Sequence, residues 1–231
     1  MIEVRHLKKT FHEGGKEIKA ADDISLTIPD GEFISIIGRS GSGKSTLLNM
    51  IGGLDRCDEG EIIVNGKNLS SLNSDQLAEY RSSETGFVFQ AFHLETGYSV
   101  YDNIRVALLI AGVPFKEHKH RVNLALEQVD LPDKMRVRTA KLSGGEKQRT
   151  AIARALINDP KIILADEPCG NLDSENSDRI LRLLEKLHRS GKTVVLVTHN
   201  RADANRAQRI IELSDGVVIR DEQTGSFVAE P

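Results

Sequence analysis

Residues that could bind phosphate stand between an apolar run and a helical pattern. The segment GRSGSGKST, residues 38–46, follows the apolar run FISII and leads into the helix-like KSTLLNMIGG. Glycines in such a segment let successive backbone N–H groups converge on phosphate oxygens, and the helix N-terminus adds partial positive charge. Lys44 could reach the outer phosphates of a nucleoside triphosphate, and the Ser45 hydroxyl could coordinate Mg²⁺. A plain turn is the alternative, but the lysine, the hydroxyl and both flanks favour a nucleotide site formed by Gly38, Arg39, Ser40, Gly41, Ser42, Gly43, Lys44, Ser45 and Thr46.

Two consecutive carboxylates end another apolar run. In IILADEP, Asp166 and Glu167 follow a pattern typical of a buried strand. A carboxylate at the C-terminal edge of a strand, beside a phosphate loop, is a suitable ligand for a hard cation. We therefore expect Asp166 to bind Mg²⁺, and Glu167 to orient or deprotonate an attacking water molecule. A solvated strand end is the alternative, and the phosphate loop makes the functional interpretation the stronger one.

A third segment, LSGGE, residues 142–146, predicts a second phosphate-binding helix end. Ser143 and Glu146 have the spacing of a capping box, and good helix formers follow them. Gly144 and Gly145 between them leave backbone N–H groups accessible at the helix N-terminus. One triphosphate is already surrounded by residues 38–46. The second binding end therefore predicts a two-fold dimer in which each copy lends this helix end to the other copy's nucleotide.

The elements that must position these residues alternate between strand and helix patterns. FISIIG, KIILAD and KTVVLVT are dense apolar runs typical of buried parallel strands, and DISLTI alternates like a strand with one solvated face. IIELSDGVVI predicts a hairpin that turns at Asp215-Gly216. The middle of the chain carries mostly helical patterns and no convincing strand. The sequence therefore predicts an α/β core over residues 1–89 and 161–231, with an inserted helical subdomain over residues 90–160.

Composition narrows the class of protein. The 231 residues carry a formal net charge of −3, so no overall positive field attracts nucleic acid. Cys57 and Cys169 match no metal spacing, and we expect reduced thiols in a cytosolic protein. The start MIEVRHLKKTF lacks the apolar stretch of a signal peptide, and no run approaches the roughly 18 apolar residues that cross a bilayer. If this protein works at a membrane, we expect another chain to span it.

Taken together, the three motifs resemble those of the ATP-binding-cassette (ABC) ATPases, whose signature is LSGGQ. The resemblance covers essentially the whole chain, because the remaining motifs of the family occur in the expected order. It implies a single ABC ATPase domain over residues 1–231. The implied fold is a P-loop NTPase (RecA-like) α/β core with an N-terminal antiparallel β region and an inserted α-helical subdomain.

The resemblance also implies roles for individual residues. Phe11 matches an aromatic residue that stacks on adenine, with a core phenylalanine as the alternative, and Gln90 matches a glutamine that contacts Mg²⁺. Asp173 lies in GNLD, which resembles the loop that crosses the dimer interface. The implied ligands are ATP and Mg²⁺. The implied catalytic residues are Glu167, His199 and Lys44, the metal ligands are Ser45, Gln90 and Asp166, and the other copy contributes Ser143, Gly144, Gly145 and Glu146.

Three positions depart from the family pattern. Glu146 replaces the signature glutamine and adds negative charge near a phosphate; we expect its capping role to offset that charge, with somewhat altered turnover. Cys169 stands where threonine is common, and the sequence gives no account of it. Asn200 stands where aspartate is common, directly after His199, which matches the switch histidine that contacts the γ-phosphate in this family. None of the three removes a catalytic group.

The kind of ABC protein follows from what accompanies the cassette. DNA-repair and translation members carry coiled coils, zinc modules or a second cassette, and this chain has one uninterrupted cassette with no heptad run. LLNMIGGLDRCDEG and ILADEPCGNLDSENSDRILRLLEKL look like the lipoprotein-release and macrolide-efflux group (LolD/MacB/FtsE-like). We expect a peripheral ATPase on the cytoplasmic side of the cell membrane that drives an integral-membrane permease with an extracytoplasmic domain. The permease would dock near residues 90–101.

Several alternatives stay open at this point. The ATPase subunits could form a homodimer or a paralogous pair. The chain could be an FtsE-like cell-division ATPase that regulates a membrane partner. A soluble ATPase acting on nucleic acid or ribosomes is the rival from another class, and we expect no nucleic-acid partner.

Overall fold

The strands and helices of the chain follow the predicted alternation. The computed structural model describes residues 1–225, so residues 226–231 of the predicted domain lie outside the described part. The strands are β1 Ile2–Glu13, β2 Lys16–Ile28, β3 Phe33–Ile37, β4 Glu59–Val64, β5 Lys67–Asn68, β6 Thr85–Phe89, β7 Ile162–Asp166, β8 Thr193–Val197, β9 Arg209–Ser214 and β10 Val217–Gln223. The α-helices are α1 Lys44–Ile51, α2 Ser74–Ser83, α3 Val100–Ile110, α4 Phe115–Gln128, α5 Gly144–Leu156, α6 Ser174–Arg189 and α7 Arg201–Ala204.

The central sheet has six strands in the order β10-β9-β3-β8-β7-β6. Strands β9, β3, β8, β7 and β6 run parallel, and β10 pairs antiparallel with β9. Every residue of β3 and β8 is buried, because helices or the second sheet cover both faces, and this explains why most of their residues are apolar. The predicted hairpin is confirmed: Asp215 and Gly216 have φ angles of 48° and 78°, as a type I′ turn requires.

The parallel order gathers the candidate residues at one edge of this sheet. The phosphate loop follows β3, Gln90 follows β6, Asp166 ends β7 and His199 lies just after β8. In parallel sheets the C-terminal ends of the strands meet at the same edge, where ligands bind. The topology therefore brings these side chains into one region of the surface.

A second sheet, with the strand order β2-β1-β4-β5, forms the predicted N-terminal antiparallel β region. The alternating segment DISLTI is only the last part of β2, which begins earlier, at Lys16. One apolar cluster fills the space between the two sheets and α1; Ile2, Ile24, Ile36, Leu48 and Val197 are among its members. This packing holds α1, the helix at the C-terminal end of the phosphate loop, in place against the two sheets.

The middle of the chain is helical, as predicted. Helices α3, α4 and α5 pack against one another, and within residues 90–160 the only strand-like contact is an isolated bridge between Ser99 and Arg138. A single apolar cluster joins Ile104, Leu126 and Ile152 of these helices to the central sheet. The helical region therefore shares its core with the sheet, and its boundaries at 90 and 160 stay predictions. Within residues 1–225, no helix combines the length and apolarity needed to span a bilayer.

Candidate nucleotide site

The phosphate loop passes so close to neighbouring backbone that only glycine fits at two positions. Gly38 has a φ of 153°, and a Cβ there would lie 2.2 Å from the carbonyl oxygen of Leu213. Gly43 has a φ of 96°, and a Cβ there would lie 1.9 Å from the carbonyl oxygen of Ala20. Lys44 begins α1, and its Nζ donates to the carbonyl oxygen of Gly38 at 2.9 Å. The ammonium group thus lies inside a cradle of backbone, which fits the phosphates of a nucleotide.

Ser45 and Asp166 bring two oxygen ligands together across the loop and the sheet. The Ser45 hydroxyl donates to Asp166 Oδ1 at 3.0 Å. Burial raises the pKa of the Asp166 carboxyl, so a cation bound at this point would favour its charged form. Burial also lowers the pKa of Lys44, and the nearby carboxylates of Glu167 and Asp166 act against that change. Hydroxyl and carboxylate oxygens are hard ligands, so this pair fits the predicted Mg²⁺.

Gln90 lies against the loop that follows β7. The Nε2 of Gln90 lies 3.5 Å from Oδ1 of Asn171, and the backbone carbonyl oxygen of Gln90 accepts a hydrogen bond from Asn171 Nδ2 at 3.1 Å. A Cβ at Gly170 would lie 2.6 Å from Gln90 Nε2. The structure therefore places Gln90 beside the GNLD segment. Its contact with Mg²⁺ stays a prediction.

Glu167 and His199 are in direct contact. Glu167 Oε1 lies 2.9 Å from His199 Nδ1, and the backbone N–H of Glu167 donates to the carbonyl oxygen of Val197 at 2.9 Å. Glu167 has a φ of 46°, a conformation that costs a non-glycine residue about 1–3 kcal/mol and is concentrated at functional sites. Both side chains line a cavity of about 420 Å³. The predicted base and the predicted phosphate-contacting histidine thus meet beside an open space.

The signature segment forms both hydrogen bonds of the predicted capping box. The backbone N–H of Ser143 donates to Glu146 Oε2 at 2.8 Å, and the Glu146 N–H donates to Ser143 Oγ at 3.3 Å. A Cβ at Gly145 would lie 2.1 Å from Asn176 Oδ1, so α6 packs directly on this helix end. Asp173 caps α6 by accepting from the Asn176 N–H at 2.8 Å. Asp173 therefore has a structural role, which the sequence did not indicate, beside its predicted place at a dimer interface.

Two of the departures from the family pattern have structural explanations. The Cys169 thiol is half-buried against the core, and burial raises its pKa to about 12, so it packs as a protonated, unreactive group. Both cysteines are free thiols, as expected. Asn200 caps α7 by accepting from the Ala202 N–H at 2.9 Å, a role that aspartate could fill equally well.

Phe11 lies on β1 with 41% of its surface exposed. The alternative interpretation as a core phenylalanine is therefore wrong. The Nζ of Lys9 lies 5.2 Å from the centre of the Phe11 ring. An exposed ring of this kind offers a face on which a base could stack, and adenine stacking stays a prediction.

Sequence reasoning missed two residues that tie the signature helix α5 to the loop after β6. Gln148 is fully buried, and its Nε2 donates to the carbonyl oxygen of Phe89 at 3.1 Å. Arg154 donates to the carbonyl oxygens of the consecutive residues Phe92 and His93. Burial lowers the pKa of Arg154, and the partly buried guanidinium donates to these carbonyl groups. No motif or spacing identifies either contact, because the acceptors are backbone atoms distant in the sequence.

The Arg154 contacts lead to a prediction about stability. Arg154→Met would remove the charge-assisted hydrogen bonds to the carbonyl groups of Phe92 and His93, and we expect it to lower the free energy of unfolding by about 1.5–3 kcal/mol. Urea unfolding followed by circular dichroism measures this change. Arg182→Met is the matched control, since Arg182 is also on a helix and, among residues 1–225, pairs only with Asp178 at the surface. Equal losses in both variants would contradict the importance of the Arg154 contacts.

The sequence and the fold of this chain are similar to those of known proteins. The family model for ABC transporters matches residues 21–170, well over half of the 231 residues. This chain belongs to the ABC transporter family. The described fold is that of the ABC ATPase cassette, so the predicted fold class is confirmed.

Two relatives illustrate the similarity in sequence. The cassette is 42% identical over 230 residues to the macrolide export ATP-binding/permease protein MacB of Hyphomonas neptunium, a match that covers 100% of this chain and 36% of that protein. It is 46% identical over 223 residues to the protein of the same name from Chlorobaculum tepidum, covering 96% of this chain and 34% of that protein. The chain thus spans about a third of the length of these curated relatives.

A solved structure gives the similarity in fold. The cassette matches a dimeric structure of a post-hydrolysis state of the ATP-binding cassette MJ0796 bound to ADP and Pi. The TM-score is 0.90 and the sequence identity 41%, with 97% of this chain and 99% of that chain covered. A second dimeric structure of MJ0796, a bacterial ABC transporter cassette, gives the same values.

Proposed function

We propose that this ABC cassette hydrolyses ATP, and that two copies close around two ATP molecules to drive a membrane permease. The observation that carries the proposal is the meeting of two pairs at one sheet edge, Ser45 with Asp166 and Glu167 with His199, beside Lys44. Lys44 is suited to bind phosphate, the Ser45–Asp166 pair to bind a metal ion, and the Glu167–His199 pair to act on the attacking water. The similar cassette MJ0796, a dimer bound to ADP and Pi, supports the same reaction.

Binding of ATP uses groups from both sheets. Phe11 stacks on adenine, an interaction worth about 1–3 kcal/mol. The backbone N–H groups of residues 38–46 and the Lys44 ammonium hold the β- and γ-phosphates. Mg²⁺, held by Ser45, Asp166 and Gln90, would neutralise charge on the outer phosphates. These roles account for the exposed ring of Phe11, the close backbone packing of the phosphate loop and the contact between Ser45 and Asp166.

Hydrolysis depends on the Glu167–His199 pair. Glu167 accepts a proton from the attacking water, whose oxygen bonds to the γ-phosphorus as the bond to the ADP oxygen breaks, which gives ADP and inorganic phosphate. His199 presents Nδ1 to Glu167 at 2.9 Å, which leaves Nε2 to face the γ-phosphate. The hydrogen bond between the two side chains therefore orients both groups for the same reaction.

Each site is completed by the other copy. Ser143 and Gly144 are exposed at the start of α5, so this helix end is open to a phosphate from outside the chain. In a two-fold dimer the segment from Ser143 to Glu146 of one copy faces the γ-phosphate held by the other, and Asp173 lies beside it. The two copies are identical in a homodimer, and a paralogous pair would use the same geometry.

The permease is proposed to dock on the helical region. An apolar cavity of about 650 Å³ lies between the start of α3 and α4, and Phe115 on its rim is 68% exposed. Lys116, Lys119 and Arg136 also line the cavity. This combination suits a short cytoplasmic segment of the permease with an apolar face and acidic flanks. The docking region near residues 90–101 is thereby extended toward α4, and the cassette would sit peripherally on the cytoplasmic side of the membrane.

Co-purification tests whether the cassette binds a membrane permease. The tagged cassette is purified from gently solubilised membranes of its native host, and bound proteins are identified by mass spectrometry. We expect a permease with an extracytoplasmic domain, and less of it with Phe115→Asp; Ile219→Asp, at a similarly exposed position of β10, is the control and should retain it. Cell-division proteins in place of an exporter would favour the FtsE-like alternative. Recovery of only ribosomal or DNA-bound proteins would overturn the transport role while leaving the ATPase.

A further inference from the structure

The signature segment of this cassette carries a charge that works against its proposed ligand. Glu146 stands where the ABC signature has glutamine. In the proposed dimer this helix end faces the γ-phosphate of the other copy's ATP. An uncompensated carboxylate at that place would repel the phosphate, since like charges brought together at an interface weaken binding. A working site therefore needs a group that offsets the charge.

Lys134 supplies the opposite charge. Its Nζ lies 2.8 Å from Glu146 Oε1, while Glu146 Oε2 accepts the backbone N–H of Ser143 at 2.8 Å. Each carboxylate oxygen is thus engaged, one by an ammonium group and the other by the helix cap. The side chains of Lys134 and Glu146 are 38% and 20% exposed, so water screens the pair less than it screens a fully exposed one.

The ionisation of Glu146 agrees with this arrangement. The hydrogen bond from Lys134 lowers the pKa of Glu146 most, and the backbone N–H of Ser143 lowers it further. Glu146 is therefore charged at neutral pH. Protonation does not remove this charge, so a positively charged group has to balance it. A glutamine could accept the same Ser143 N–H with its amide oxygen and would need no cation.

The segment that carries Lys134 is well fixed. Lys134 ends the short 3₁₀ turn Pro132–Lys134, and its carbonyl oxygen accepts from the Val137 N–H at 2.9 Å. Leu131, directly before the turn, is only 3% exposed and belongs to the core shared by helices and sheet. The ammonium group is therefore presented to the signature helix by a packed segment.

We propose that Lys134 is a positioning residue for ATP: it neutralises Glu146 and holds that carboxylate on the helix cap, so that the start of α5 can accept the γ-phosphate bound by the other copy. This inference rests on the proposed function. Without Lys134 the signature still forms its helix, but an unbalanced carboxylate faces the phosphate. ATP-driven closure weakens, and the KM for ATP rises more than kcat falls.

A four-protein comparison tests the inference by rescue. ATPase kinetics are measured for wild type, Lys134→Met, Glu146→Gln and the double variant. We expect Lys134→Met to raise the KM for ATP by about tenfold, the effect of an uncompensated like charge. Glu146→Gln sets the reference KM for a signature without a carboxylate, and the double variant should match that KM and not the KM of Lys134→Met, because no carboxylate is left to balance. Lys141→Met is the control for loss of a nearby positive charge; Lys141 is exposed and forms no ion pair within residues 1–225.

The outcomes separate this inference from the proposed function. A double variant as impaired as Lys134→Met would overturn the inference, since Lys134 would then act by another route, such as local structure. A normal KM for Lys134→Met, or an equal rise for Lys141→Met, would also overturn it. Wild-type protein without ATPase activity would overturn the proposed function, and the inference with it.

Discussion

Replacing Glu167 by glutamine is expected to abolish nearly all ATP hydrolysis while leaving ATP binding close to normal. The amide keeps the size of the side chain and can stay near His199, but it cannot accept a proton from water. General bases increase reaction rates on the order of 10²–10⁴-fold, so the rate of phosphate release should fall by about that factor. Steady-state phosphate release and binding of a fluorescent ATP analogue measure the two properties separately.

A matched control keeps this test specific. Glu79→Gln removes an equal charge from an exposed position of α2, away from the sheet edge, and should hydrolyse ATP like wild type. Near-normal turnover by Glu167→Gln would remove Glu167 from the role of base. Loss of ATP binding in the same variant would instead show that the carboxylate holds the ligand.

Mixing two inactive variants is expected to restore activity. Lys44→Ala removes the ammonium group that lies in the phosphate loop, and Ser143→Arg blocks the helix end that faces the other copy. In a mixed dimer one composite site combines both lesions, and the other combines an intact loop with an intact signature. An equal mixture, in which half of the dimers are mixed, should therefore regain up to about a quarter of wild-type turnover.

The amount of mixed dimer decides how this result is interpreted. Differently tagged variants allow mixed dimers to be isolated before their phosphate release is measured. Isolated mixed dimers that stay inactive would contradict independent composite sites. Activity of Ser143→Arg alone would contradict the role of the signature segment.

The sequence predicted the parts of the candidate site whose geometry is local. The phosphate loop needs only a strand, glycines and a helix start, and the close approaches of Gly38 and Gly43 agree with that interpretation. The capping box of Ser143 and Glu146 spans one turn, so its spacing was sufficient. The hairpin at Asp215-Gly216 was predictable for the same reason.

The sequence could not predict contacts that depend on how distant segments pack. Lys134 meets Glu146 only because the turn before α5 folds back on the signature helix, and Arg154 reaches backbone carbonyl groups, which carry no residue signal. The full length of β2 was missed because Lys16–Lys19 are exposed and show no alternation. Pairing with β1 determines that part of the strand, and burial does not.

Molar mass in solution tests the central claim most directly, because the proposed mechanism requires two cassettes to close around ATP. Glu167→Gln protein is measured by light scattering with and without Mg²⁺ and ATP, alongside the Glu167→Gln/Ser143→Arg double variant. The account predicts one chain without ATP, two chains with ATP, and one chain throughout for the double variant. A Glu167→Gln protein that binds ATP and still has the mass of a single chain would contradict it.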